Sequence, residues 1–142
     1  MTVRAILDAK GRQVVSIGAD AKVSSAVKTL CERRIGALLV MAGGSIEGII
    51  SERDIVRELG ERGAKILDEP VSAVMTSKVM TCRRSDTVSW LMEQMTEGKF
   101  RHLPVVEEGQ VVGLVSIGDV VKHRVMEYER EQEALRDYIA TA

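Results

Sequence analysis

Two serines in this sequence each precede an aspartate by three residues: Ser51 with Asp54, and Ser116 with Asp119. A hydroxyl and a carboxylate at that spacing share one helical turn, and two kinds of chemistry follow. The first is local. The Ser oxygen accepts from an orphan N–H at a helix start, and the acidic side chain reaches back to the N-cap backbone. The second is recognition. The carboxylate accepts hydrogen bonds from a vicinal diol such as ribose, the Ser adds a hydroxyl contact, and the helix N-terminus favours a nearby anion. For an isolated copy the cap is the commoner use. Here a Gly opens an apolar run before each Ser, as Gly48-Ile49-Ile50-Ser51 and Gly113-Leu114-Val115-Ser116.

The two copies stand 65 residues apart, and the same offset pairs Val23 with Val88, Ser24 with Ser89, Leu38 with Leu103, Val40 with Val105 and Gly44 with Gly109. No gap is needed between Val23 and Asp119. Chance rarely gives such a self-match, so the chain holds an internal repeat. Repeats this small bury too little surface to stand alone, and they are expected to pack on each other.

Composition removes several functions. The chain has 142 residues, 45% hydrophobic and 29% charged, as in an ordinary soluble globular protein. A net charge of −1 offers no electrostatic footprint for nucleic acid. Aromatics at 3% leave little for a base-stacking platform. No apolar run approaches the roughly 20 residues that span a bilayer. The N-terminus lacks a signal-peptide core, so a cytoplasmic location with no membrane partner is expected. Cys31 and Cys82 do not correspond under the offset, and a metal site needs more ligands. Both read as reduced cysteines, with Cys31 on the apolar face of a helix.

Periodicity places the motifs on elements. Residues 2–9 carry Val3, Ile6 and Leu7 at helical spacing before Gly11. A short strand is expected over residues 13–17. Asp20 is expected to cap a helix with Val23, Ala26, Val27, Leu30, Cys31 and Ile35 on one face, ended by Gly36. Residues 37–41 and 46–50 read as a hairpin about Gly43-Gly44, and Ser51 caps the helix that follows. Residues 61–70 are a polar connector, followed by an amphipathic turn holding Val71, Val74 and Met75. The second repeat repeats the order: a strand over 79–81, Ser85 as cap, a face of Val88, Leu91, Met92 and Met95, and strands over 103–106 and 111–115. Pro104 cannot donate to a ladder and belongs at a strand start or edge. The last helix runs from Ile117 to about residue 139, with Val121, Val125, Tyr128, Leu135 and Ile139 on one stripe. Between them, residues 127–133 are almost all charged, which suits a solvated tail or a partner-binding arm.

In order and in duplicate, these motifs resemble a tandem pair of CBS domains (cystathionine-β-synthase type). Arg101-His102-Leu103-Pro104-Val105-Val106 resembles that family's entry into its second strand, and Val74-Met75-Thr76 with Val79 resembles its inter-repeat linker. The resemblance covers roughly residues 14–125. It implies an α+β fold of two pseudo-twofold β-α-β-β-α repeats packed through their sheets, with a long C-terminal helix added. The division expected is an N-terminal segment 1–12, repeats over 13–62 and 78–126, a linker 63–77, and a helical extension 127–142.

The resemblance further implies two nucleotide sites in one cleft. Their ligands would be adenosine compounds: AMP, ADP or ATP, S-adenosylmethionine, or NAD(H). Ser51 with Asp54 and Ser116 with Asp119 would face sugar and phosphate. Backbone at residues 14–17, including Ser16, and at 79–82, including Val79, Met80 and Thr81, would read the adenine. Gly36 and Ala37 would line one site, and Arg101, His102 and Pro104 the other. Basic groups differ between copies, with Arg53 beside Asp54 in the first and Lys99, Arg101 and His102 in the second. Arg53 and Lys99 also read as plain solvated charge. Leu39 stands where the family pattern has Pro.

The function implied is an adenosine-nucleotide-binding regulatory module, a homodimer acting on a separate effector protein. The alternative is a ligand-free interaction domain in which both Ser and Asp pairs are only caps. Catalysis is not expected. His102, Ser116 and Asp119 hold the residue types of a triad, but no nucleophile elbow surrounds Ser116, and only one repeat has the His.

Overall fold

The computed structural model describes residues 1–141. The chain divides into two compact units. One is Gln13–Met80; the other joins Met1–Arg12 to the residues from Thr81 onward. The N-terminal segment therefore folds with the second repeat, and the connector folds with the first.

The unit Gln13–Met80 holds β1 (Ser16–Ile17), α2 (Val23–Arg33), β2 (Ala37–Ala42), β3 (Ser45–Ser51) and α3 (Glu52–Arg62), then 3₁₀ turns at Ala64–Asp68 and Val71–Ala73. β1 runs parallel to β2, and β2 antiparallel to β3. Gly43 and Gly44, both at positive φ, make the two-residue hairpin turn whose twist suits the flanking strands. The core gathers Val23, Ala26, Leu30, Leu38, Val40, Ile50 and Ile55 from these elements, with Ile66, Val71 and Val74 from the connector.

The other unit holds α1 (Val3–Lys10), α4 (Val88–Gly98), β4 (His102–Glu107), β5 (Gln110–Ser116) and α5 (Ile117–Thr141). Val3, Ile6 and Leu7 of α1 are buried among Val88, Leu91, Met95, Leu103, Val105 and Val115. Glu108 and Gly109 repeat the positive-φ turn, and the ladder irregularity at Val40/Met41 recurs at Val105/Val106.

Several local expectations are corrected. Asp20 and Ser85 cap nothing: the N-caps of α2 and α4 are Lys22 and Thr87. Thr87 accepts from Trp90 N, whereas Lys22 has no side-chain cap. The first N–H of each helix donates instead to a carbonyl distant in sequence, Val23 N to Glu69 O at 2.9 Å and Val88 N to Met1 O at 3.1 Å. Tertiary carbonyls here supply what a local cap would. α2 ends at Arg33 rather than Gly36, because Arg34 takes the left-handed conformation; Lys99 does the same after α4. Val27 and Cys31 are exposed rather than on the buried face of α2. Cys82 is buried, and burial above all, helped by Asp86 and Glu107, pushes its thiol up to about 12, so it stays a protonated core residue.

The strand expected over residues 79–81 does not form. In the first repeat Leu39 N donates to Val15 O at 3.2 Å, one rung of the parallel ladder. The equivalent donor in the second repeat would be Pro104, which has no N–H. What remains is a single bridge between Cys82 and Val105, made by Cys82 N to Pro104 O and Val106 N to Cys82 O, each 2.9 Å. Pro104 thus lies inside β4 with its missing donor turned away from β5, on the edge side.

Candidate functional site

Both serines end a hairpin strand and open a helix, so each Ser and Asp pair is fixed by two elements at once. In the first repeat Ala37 lies opposite Ser51 in the β2–β3 ladder, and Glu52 N donates to Gly36 O at 3.0 Å. In the second, His102 lies opposite Ser116, and Ile117 N donates to Arg101 O at 2.8 Å. The residue entering the second strand of each repeat is thereby held against the helix N-terminus. Ser16 pairs with Leu39, two positions along the strand from Ala37. Thr81 belongs to the unit of the second repeat, while Val79 and Met80 end the other unit.

The two carboxylates differ in what already holds them. At Asp54 a full capping box is present. Ser51 N and Ser51 Oγ each donate to Oδ2 at 3.0 Å, and Arg57 Nη2 and Thr76 Oγ1 each donate to Oδ1 at 3.0 Å. Four donors use the roughly four acceptor positions of a carboxylate. The side chain is 6% exposed. Arg53 is exposed on the first turn of α3.

At Asp119 the side chain is 23% exposed. Ser116 N donates to Oδ2 at 2.9 Å, and Asp119 N donates to Ser116 Oγ at 3.2 Å. The second partner on Oδ2 comes from α1: Lys10 Nζ at 2.6 Å, which also donates to Leu114 O at 2.9 Å. Burial pushes the Asp119 carboxyl up, but the bonds from Lys10 and Ser116 outweigh it and hold it below the usual carboxylate range. His102 is pushed the other way from its ordinary value: burial lowers it most, Lys10 and Arg101 lower it further, and Asp119 recovers only part. At neutral pH His102 is an uncharged donor and acceptor, and the positive charge here is carried by Lys10 and Arg101. Lys99, exposed, is the left-handed residue that closes α4.

Lys10 was not legible as a site residue while residues 1–12 read as a separate segment. The signal lay in a second alignment: Val3, Ile6 and Leu7 match Val71, Val74 and Met75 in spacing. Leu7 approaches Gly113 as Met75 approaches Gly48. A depression lined by Arg84, Glu107, Glu108, Gln110 and Val112 lies at the turn end of the β4–β5 hairpin, away from Ser116, and takes no part in this arrangement.

His102 makes the site pH-sensitive. Its folded pKa is depressed, so the unfolded chain binds the extra proton first, and folding stability falls as pH drops below the ordinary value of 6.5. The denaturant midpoint of the second repeat is expected to fall between pH 7.5 and pH 5, and His102→Gln to flatten that slope. An equally steep slope in the variant would assign the effect to other groups.

The CBS domain family model matches residues 3–61 and 71–125. The chain belongs to the CBS domain family. Both matches start inside segments that fold with a repeat core, residue 3 in α1 and residue 71 in the connector. The CBS pair is 36% identical over 125 residues to the mitochondrial CBS domain-containing protein CBSX3 of Arabidopsis thaliana, covering 84% of this chain and 61% of that one. The chain thus spans about three fifths of that relative. Among solved structures, the CBS-domain containing protein ATU1752 of Agrobacterium tumefaciens superposes with a TM-score of 0.85 at 45% identity, covering 87% of this chain and 99% of that one. The CBS domain protein PAE2072 of Pyrobaculum aerophilum, solved complexed with AMP, superposes with a TM-score of 0.74 at 28% identity, covering 84% and 89%. No described helix is long and apolar enough to cross a membrane.

Proposed function

We propose that this CBS pair is a regulatory module that binds an adenine nucleotide and acts, as a homodimer, on a separate effector protein. The observation that carries the reading is the partly open Asp119 carboxylate at the N-terminus of α5, flanked by Lys10, Arg101 and His102. Such a carboxylate accepts the two hydroxyls of a ribose, Ser116 adds a hydroxyl, and the cations face the phosphates. The AMP-bound relative supports an adenosine ligand of this kind; AMP, ADP, ATP and NAD(H) all present the same adenosine half. Thr81 is proposed to read the adenine through backbone groups, in the same unit as Pro104. In the first repeat Ser16, Gly36, Ala37, Ser51, Arg53 and Asp54 are the equivalent set, but there a ribose must displace Thr76 or Arg57 from Asp54. The role is regulatory rather than catalytic.

Titration of the chain, refolded to strip carried-over ligand, tests this. AMP or ATP is expected to raise thermal stability, by about 2.7 kcal/mol at a hundredfold excess over its dissociation constant. GTP is expected to do less, because backbone groups set for an amino group meet an oxo group. Asp119→Ala is expected to lose charge-assisted bonds worth about 1.5–3 kcal/mol, about ten- to a hundredfold in affinity. Asp54→Ala is expected to act mainly on folding, by about 0.5–2 kcal/mol as a lost cap. Equal shifts with ATP, AMP and GTP would reduce the site to non-specific phosphate binding. No shift with any adenine compound would leave the bare interaction domain.

A further inference from the structure

α5 is one continuous helix, and only Val120 and His123 along it are buried. Its apolar residues face the other way. Val121 is 45% exposed, Val125 49%, Tyr128 56%, Leu135 53% and Ile139 65%. Their order along the chain alternates steps of four and three, with Gln132 filling the one gap. This is the 3.5-residue repeat of a coiled-coil seam rather than the 3.6-residue stripe of a helix lying on a globular core. With Val125, Gln132 and Ile139 at position a, and Val121, Tyr128 and Leu135 at d, the buried Val120 and His123 fall at c and f, on the far side. The unit grips α5 by one face and presents the seam outward.

We infer that this seam pairs with the same helix of a second copy, as a parallel two-stranded coil over residues 121–139. The inference rests on the homodimer named above and assigns its surface. Charge selects the occupant and its direction. In a parallel pair each g position faces e of the next heptad on the other strand. Arg124 then meets Glu129 of the partner subunit, and Glu131 meets Arg136 of the partner subunit, each twice by symmetry. Both contacts are attractive. An antiparallel pair that stacks the same apolar layers sets Glu131 on the partner subunit's Glu131, Glu129 on the partner subunit's Glu129 and Lys122 on the partner subunit's Arg136, all repulsive. Arg124 lies 3.6 Å from Glu127 on its own helix, an exposed pair weak enough to exchange. Val125 and Ile139 at a with Leu135 at d suit two strands, and Gln132 makes one polar layer at a, at some cost in stability.

Cross-linking of the full chain tests this, with exposed Cys31 first changed to Ser and Cys82 left in the core. In a parallel, in-register coil Leu135 faces its own counterpart. Leu135→Cys is expected to give disulfide-linked dimers under mild oxidation, and Asp137→Cys, at an outer position, is not. Sedimentation at graded concentration adds a second readout. Tyr128→Glu with Leu135→Glu is expected to weaken the dimer about a hundredfold or more. Glu131→Arg is expected to weaken it about tenfold, and adding Arg136→Glu to restore it. Retained thermal unfolding shows that each variant still folds. A wild-type chain that stays monomeric at every concentration overturns both the homodimer and the coil. A stable dimer in which Leu135→Cys does not cross-link and the seam variants keep their mass overturns the coil alone.

Discussion

A chain lacking residues 1–12 is expected to leave its second repeat unfolded while the first stays folded. α1 contributes Val3, Ile6 and Leu7, each at most 1% exposed, to the core around Leu91, Leu103 and Val115. It also supplies backbone bonds from Val3 N to Asp86 O and from Arg4 N to Arg84 O, and the Met1 carbonyl that takes Val88 N. Truncating one buried Leu or Ile to Ala costs about 2–5 kcal/mol. Losing three such side chains together rivals the whole stability of a small domain, about 5–15 kcal/mol. The single tryptophan, Trp90, packs against this core and serves as the reporter for this unit. Its fluorescence in the truncated chain is expected to match that of denatured protein, and Ile6→Ala is expected to lower stability by about 2–5 kcal/mol. Native Trp90 emission with an unchanged midpoint after truncation would refute the role given to α1.

The second large effect separates two glycines that occupy the same place in the repeat. A Cβ on Gly48 would lie 2.6 Å from the Thr76 carbonyl oxygen and 2.8 Å from Met75 Sδ. That carbonyl accepts from Ile49 N at 2.9 Å while Thr76 N donates to Ile49 O at 2.8 Å, so it cannot move without breaking the bridge. A Cβ on Gly113 would instead meet Leu7 Cδ2 at 2.5 Å, the end of a side chain rather than a bonded backbone atom. Overpacking costs about 1–3 kcal/mol, and loss of a backbone bridge adds to it. Gly48→Ala is therefore expected to cost about 3 kcal/mol or more, and Gly113→Ala about 1 kcal/mol. Denaturant titration of both variants reads the difference; equal costs would mean that the Thr76 segment yields as easily as Leu7.

What was legible in the sequence was whatever depends on near neighbours. Ser51 and Asp54 form their box because both partners lie within one turn. The hairpins form because Gly43-Gly44 and Glu108-Gly109 accept positive φ. The 65-residue offset repeats both hairpins and the helices that flank them, and the family model likewise matches twice. What was not legible depends on partners distant in the chain. Lys22 stands at the N-cap of α2 without a side-chain cap because the Glu69 carbonyl meets Val23 N from elsewhere in the chain, and the Met1 carbonyl meets Val88 N in the same way beside the local Thr87 cap. The strand before Cys82 fails for want of one N–H on Pro104, a residue in another strand. The inequality of Asp54 and Asp119 is of the same kind, since Thr76 closes one carboxylate and Lys10 holds the other.

The crossed membership of the two units also sets an order of events during synthesis. α1 leaves the ribosome well before the segment that covers Val3, Ile6 and Leu7, which begins only at residue 81. Residues 13–80 hold everything their own core needs and can close as soon as they emerge. Through that interval α1 is an orphan, too short to be a stable helix by itself, with its apolar face in water. Docking it later closes a long loop, a cost that grows only logarithmically with the intervening length, and the folded first repeat shortens that loop further. The nascent chain thus carries α1 as a waiting clasp. That clasp fastens only after β5 has been made, and Lys10 reaches Asp119 in the same step.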